Sequence, residues 1–161
     1  NELKTKVKFG IWDSGGLDCF QYLLQTYFRN TLILFAFYDI NERESFTNLD
    51  KWIDEYNNYS LDKKYIVIIG CKKDIGRRQV FYKEGSEYSK KYNSLFYEIS
   101  NYEDKNILNI IFKDLLNIIY DDYNKNKSFL KNKDYFKVKY ITNDLKLEQT
   151  MKTKKKKCII S

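Results

Sequence analysis

The stretch Val7-Lys8-Phe9-Gly10-Ile11-Trp12-Asp13-Ser14-Gly15-Gly16-Leu17-Asp18 changes character halfway along. Val7, Phe9 and Ile11 alternate with Lys8 and Gly10, the period-two pattern of a half-buried strand. Asp13 and the adjacent Gly15 and Gly16 then break the pattern into a turn. A carboxylate at the carboxyl end of a strand, followed at once by bare backbone, suits metal and phosphate chemistry. Asp13 can hold a hard cation directly or through water, and the N–H of Gly16 can approach a phosphate oxygen. An acidic turn after any strand reads the same, and taken alone the stretch favours that plainer reading.

The segments that follow change the weighting. Phe20, Leu23, Leu24, Tyr27 and Phe28 recur at helical spacing, predicting a short helix that ends near Arg29-Asn30. Leu32 to Tyr38 is a continuous apolar run closed by Asp39, as expected of a strand covered on both faces. Phe46, Leu49, Trp52, Ile53 and Tyr56 form one helical stripe. Tyr65 to Gly70 predicts a second buried strand, Lys83 to Tyr92 a helix, Leu95 to Ile99 a strand, and Ile107 to Tyr123 a strongly periodic helix. Strands alternating with helices of this length predict an α/β fold with a parallel sheet. In such sheets ligands sit outside the carboxyl ends of the strands. The polar residues at those ends are Asp13, Asp39, Cys71-Lys72-Lys73-Asp74 and Ser100-Asn101. Beyond residue 123 regular apolar spacing is lost. Phe136, Val138 and Tyr140 alternate and permit one added strand, although a linker is favoured by the surrounding Lys and Asn.

The 161 residues, 43% hydrophobic, suffice for one core. Three cysteines at wide spacing and the absence of histidine argue against a disulfide framework or a zinc site and for a reducing setting. Any general base is then a carboxylate, a lysine or the substrate. The longest apolar run is too short to span a bilayer. Net charge is +7, of which Lys152, Lys154, Lys155, Lys156 and Lys157 supply five, leaving a nearly balanced body and a basic tail suited to an anionic surface.

Taken together, Ile11-Trp12-Asp13-Ser-Gly-Gly16, Tyr27-Phe28-Arg29, Tyr38-Asp39, Glu44-Ser45-Phe46 with Trp52, Gly70-Cys-Lys72-Lys-Asp74 and Glu98-Ile-Ser100 resemble the small GTPases, the Rab branch in particular. One Asp-x-x-Gly is weak, but six fragments in the family's order and spacing are strong. The resemblance implies a P-loop NTPase-like G-domain, a mostly parallel sheet flanked by helices, over residues 1–123. A basic linker over 124–157 and a prenylation motif over 158–161 would follow it. It implies GTP or GDP with Mg2+ as ligands, with Asp13 in the magnesium shell through water and the N–H of Gly16 at the γ-phosphate. Asp74 would accept two hydrogen bonds from the guanine edge, Lys72 would lay its stem across the base, and the Ser100-Asn101 backbone would meet the guanine carbonyl. Trp12 and Tyr27 match aromatic positions by which Rabs engage effectors, though aromatics capping a core edge would serve as well. The implied role is a membrane-tethered GTP/GDP switch in vesicle and protein transport, served by an exchange factor, a GTPase activator and a prenyl-binding chaperone.

Three departures qualify that expectation. Leu17 stands where the family has the glutamine that orients the attacking water, so slow GTP hydrolysis is expected. Cys71 replaces the asparagine of the guanine motif, an exchange of an amide for a weak donor and acceptor. The loss of one such contact, about 1–3 kcal/mol, predicts weaker but not abolished affinity. The Gly-x-x-x-x-Gly-Lys-Ser/Thr phosphate cradle is absent, along with the strand, helix and first switch that accompany it. The chain starts with Asn1 rather than Met, which favours the latter part of a longer GTPase, by itself inactive. The alternative is a non-catalytic prenylated interaction module that keeps the fold and no longer binds nucleotide.

The final Cys158-Ile159-Ile160-Ser161 fits the Cys-aliphatic-aliphatic-X pattern for prenylation, and a terminal serine favours a farnesyl group. A single lipid holds a membrane only marginally. The adjacent lysines supply a second signal, placing the protein at the cytoplasmic face of a membrane. Nucleic acid is not an expected partner, because the tail lacks interleaved aromatics and arginine.

Overall fold

The computed structural model of the chain describes residues 5–13, 21–29, 31–60, 64–102, 105–125 and 139–140. It divides into two units, one holding residues 1–11 and 132–161, the other residues 12–131. In the first unit, β1 (Thr5–Lys6) pairs antiparallel with β5 (Lys139–Tyr140), Thr5 opposite Tyr140 and Lys6 opposite Lys139.

Residues 7–13 form no strand, contrary to the expectation from their alternation, and most of their side chains are exposed. Alternation specifies which face would be buried, but a strand needs a neighbour to satisfy its backbone groups. Among the described residues no strand of either sheet runs beside this segment.

The second unit is built on a three-stranded parallel sheet in the order β2 (Ile33–Asp39), β3 (Tyr65–Cys71), β4 (Leu95–Glu98). Its connections carry α2 (Arg43–Thr47) with α3 (Leu49–Tyr59), and then α4 (Tyr82–Lys91), while α1 (Gln21–Phe28) precedes the sheet and α5 (Ile107–Lys125) follows it. The α/β reading with a parallel sheet therefore holds. The single stripe from Phe46 to Tyr56 is two helices rather than one, meeting at Asn48.

Alternation along the strands divides the core. Leu34, Ala36 and Tyr38 of β2, Ile66 and Ile68 of β3 and Phe96 of β4 share one face with Phe46, Leu49 and Ile53 of α2 and α3 and with Tyr88 of α4. On the other face Phe35 meets Phe112 edge-on at 5.7 Å, and the Tyr97 and Tyr65 hydroxyls donate to Asp114 and Asp122 of α5 at 2.7 and 2.9 Å. β3 lies in the middle, and its Val67, Ile68 and Ile69 are all buried, as a continuous apolar run requires. β2 has a similar run but is covered on both faces only in part, because Phe37 is 55% exposed. β2 is an edge of the sheet among the described residues, and α5 reaches its Phe35 while leaving Phe37 open. Phe28 of α1 closes the core's rim by meeting Tyr56 edge-on at 5.6 Å.

Candidate functional site

The carboxyl ends of the three strands are laced together by backbone hydrogen bonds. Ile40 N donates to Cys71 O at 3.1 Å, Ile99 N to Gly70 O at 2.8 Å, and Lys73 N to Ile99 O at 3.3 Å. This brings the Cys71-Lys72-Lys73-Asp74 loop and the Ile99-Ser100-Asn101 loop side by side at one end of the sheet. Parallel pairing in register causes it, since Asp39 lies opposite Cys71 and Gly70 opposite Glu98.

Lys72 begins a turn, with Ile75 N donating to Lys72 O at 3.1 Å, and its φ of 61° lies in the left-handed region. A residue with a Cβ is strained there by about 1–2 kcal/mol. The geometry is held from β2: Asn41 Nδ2 donates to Lys72 O at 2.9 Å, and Lys72 Nζ pairs with Asp39 Oδ2 at 2.6 Å. Asp39 and Asn41 form an Asx turn, the Asn41 N–H donating to Asp39 Oδ1 at 2.8 Å. Burial works to raise Asp39, yet the Lys72 and Asn41 hydrogen bonds and the Lys72 charge outweigh it and hold the carboxyl below the usual range. The same partnership raises Lys72 above the usual lysine value.

Cys71 is half-buried, and burial followed by the neighbouring Asp39 carboxylate pushes its thiol up, so it is a protonated, weakly polar group at neutral pH. Ser100 is fully buried and its Oγ accepts from Tyr102 N at 3.2 Å, shaping the loop that carries Asn101. Asp74 and Asn101 are exposed, facing solvent where a ligand can reach them. Two further ion pairs brace the rim. Arg78 clasps Glu98 through two contacts of 2.7 Å, and Arg43 clasps Glu84 at 2.6 and 3.1 Å while donating to Gln79 O.

The two loops that carry Cys71, Lys72, Asp74, Ser100 and Asn101 lie side by side. Asp13 is exposed, and among the described residues no hydrogen bond or ion pair joins it to Lys72 or Asp74. Trp12 stacks on Tyr27 with centroids 5.4 Å apart while remaining 74% exposed. Gly16, Leu17, Cys158 and Lys154 to Lys157 lie outside the described residues. Sequence reading missed Asn41; the Asp-x-Asn spacing directly after a strand was the signal available for it. Among the described residues no cluster of three or more acidic, cysteine or histidine side chains gathers to hold a metal, and no helix is long and apolar enough to cross a membrane. A single exposed carboxylate such as Asp13 fits Mg2+ only as that ion is usually held, through water and with phosphate oxygens completing the shell.

The chain matches the family model described as Ras family over residues 2–121. It is 30% identical over 122 residues to Ras-related protein SEC4 of Saccharomyces cerevisiae, covering 76% of this chain and 56% of that protein. It is 35% identical over 103 residues to Ras-related protein Rab-30 of Homo sapiens, covering 63% and 51%, and 27% identical over 110 residues to Ras-related protein RabC of Dictyostelium discoideum, covering 68% and 56%. The chain spans about half the length of the curated relatives it matches. The helix-flanked parallel sheet agrees with a P-loop GTPase fold, and the chain belongs to the Ras family, among its Rab-like small GTPases.

Proposed function

We propose that the chain forms the guanine-recognising part of a Rab-like switch in vesicle transport, tethered to the cytoplasmic face of a membrane. The observation that carries this reading is the convergence of the 71–74 and 99–101 loops at the carboxyl ends of β3 and β4, tied by the Lys73–Ile99 hydrogen bond. In this reading Asp74 accepts two hydrogen bonds from the guanine edge, which adenine cannot supply. The Lys72 stem lies across the base, and the backbone at Ser100 and Asn101 meets the guanine carbonyl. Asp13 holds Mg2+ through water beside the phosphates, and the N–H of Gly16 meets the γ-phosphate. Leu17 has no group to orient the attacking water, so GTP hydrolysis is slow. The Trp12–Tyr27 stack is the surface offered to effectors and regulators, being aromatic and, at Trp12, uncovered. Cys158 carries the prenyl group and the lysines before it bind anionic lipid.

A second reading, a prenylated interaction module that binds no nucleotide, is favoured by one observation: residues 7–13 form no strand, so Asp13 does not stand at a strand's carboxyl end. Calorimetric titration of the purified full-length protein with guanine and adenine nucleotides separates the two. Guanine-selective binding supports the switch. Equal or absent binding of both supports the module.

A further inference from the structure

The Asp39 carboxylate serves two masters on opposite oxygens. Oδ1 accepts from the Asn41 backbone N–H at 2.8 Å and from Asn41 Nδ2 at 3.0 Å, while Oδ2 meets Lys72 Nζ at 2.6 Å. Asn41 closes the circuit by donating from the same Nδ2 to Lys72 O at 2.9 Å. Lys72 is therefore held at its backbone and at its ammonium by two residues from the end of β2. The Lys72 side chain is 58% exposed, whereas that of Asp39 is 16% exposed. An exposed four-carbon stem thus runs over the surface to a largely covered anchor.

We propose that Asp39 is a positioning residue that, through its ion pair with Lys72, fixes the lysine stem as an apolar shelf for a planar purine base. This rests on the guanine-nucleotide reading and deepens it. A free lysine on the surface samples many rotamers, and a ligand that lies on it must order them. Here the protein has ordered them before the ligand arrives, which is how preorganisation raises affinity. Pairing the ammonium with Asp39 also keeps it from swinging toward phosphates, so its methylenes rather than its charge face the base. Asn41 keeps the left-handed Lys72 backbone in place, so the shelf has a fixed origin as well as a fixed end.

Asp39→Asn tests the proposal, because an amide oxygen still accepts from Asn41 while the ion pair is lost. Asp39→Glu keeps the charge, and Lys72→Met keeps an apolar stem without its anchor. Two readouts are needed: the proton–nitrogen NMR signal of the Lys72 ammonium, which a lasting ion pair protects from exchange, and the affinity for guanosine diphosphate. The expected result is a protected ammonium in the wild type that disappears in Asp39→Asn. Affinity should fall about three- to tenfold in Asp39→Asn and in Lys72→Met, the scale of ordering one long side chain, with partial recovery in Asp39→Glu. Unchanged affinity in either Asp39→Asn or Lys72→Met overturns the shelf. Nucleotide binding by a wild type whose Lys72 ammonium exchanges freely overturns the shelf alone. A protected ammonium in a wild type that binds no guanine nucleotide overturns the nucleotide reading, and the shelf with it.

Discussion

Tyr38 lies across Gly70, its partner in the neighbouring strand, so closely that a Cβ on Gly70 would stand 2.8 Å from the tyrosine hydroxyl oxygen and 2.9 Å from Cζ. The same hydroxyl would lie 2.7 Å from a Cβ on Gly85 of α4. Tyr38 is 2% exposed and cannot swing into solvent. The two glycines therefore let a bulky side chain fit between the sheet and the helix that crosses it. Gly70→Ala is expected to destabilise the fold by about 1–3 kcal/mol, the usual penalty for overpacking a filled core. The stiffer backbone of alanine, which by itself stabilises by a fraction of that, does not offset it. Urea unfolding measures the change, and an unshifted midpoint would show that Tyr38 gives way freely.

Ile68 tests the layer assignment from the opposite direction. It is fully buried at the centre of the middle strand, on the face shared with α3. Ile68→Ala removes methyl groups and leaves a cavity, for an expected loss of about 2–5 kcal/mol. Trp12→Ala, at an exposed stack outside the core, should change stability by less than about 1 kcal/mol. Equal losses in the two variants would contradict the placement of the core.

Stability should fall at both ends of the pH range. Asp39, Asp50 and Glu84 all ionise below the ordinary carboxyl value. At Asp39 and Asp50 burial is outweighed by hydrogen bonds, from Lys72 and Asn41 in the first case and from Tyr88, Tyr92 and Lys91 in the second. Glu84 is held down by Arg43 and the Phe81 N–H. A depressed folded-state pKa contributes stability that is present above the unfolded value, about 4, and is lost as pH falls through the folded value. Burial raises Tyr38, reinforced by Glu98, and likewise raises Tyr56. Their contribution is present below the unfolded tyrosine value, about 10, and is lost as pH rises beyond it. Urea midpoints followed across pH should be flat near neutrality and decline below about pH 4 and above about pH 10. A midpoint that keeps rising into acid would sink the carboxylate assignments.

How much of this was legible beforehand depended on whether the pattern carried its own partner. Tyr65 to Gly70 is apolar at every position before its glycine, a run that reads as a buried strand, and β3 is that strand. Val7, Phe9 and Ile11 have an equally regular pattern and form no strand, because periodicity names a face and is silent about neighbours. Phe37 shows the same limit, since a run that reads as doubly covered is open where the sheet ends. At the candidate site, the motif names Lys72 and Asp74, whereas the Asp39–Lys72 pair emerges only once Asp39 is set opposite Cys71 in register. The left-handed turn at Lys72 carried no glycine to announce it.

The tail gives a prediction in cells. If Cys158 carries a prenyl group and the lysines before it supply the second membrane signal, Cys158→Ser should move the protein from the membrane pellet to the soluble fraction. Replacing Lys154, Lys155, Lys156 and Lys157 with glutamine should weaken binding of the lipidated protein to anionic vesicles by about 1 kcal/mol per lysine, and much less at high salt. Retention of Cys158→Ser on membranes would rule out the lipid as the anchor.

Cys71 offers a gain-of-function test. The side chain stands at the end of β3 between the Asp39 and Ile99 segments, half-buried, with a thiol that burial keeps protonated. A thiol is a weak donor and a weak acceptor, so any strong hydrogen bond that a bound base or the adjoining loop offers at this position goes largely unmet. An asparagine there would add two donors and a carbonyl acceptor for only a small increase in volume. An unmade hydrogen bond at a site that closes over its ligand is worth about 1–3 kcal/mol. Cys71→Asn should therefore tighten guanine nucleotide binding by about ten- to a hundredfold while leaving adenine nucleotide binding where it was. In the proposed reading the two nucleotides respond differently, because the gain would depend on a base seated against Asp74. A variant that improves both equally would point to a phosphate contact instead, and one that improves neither would remove position 71 from the base site.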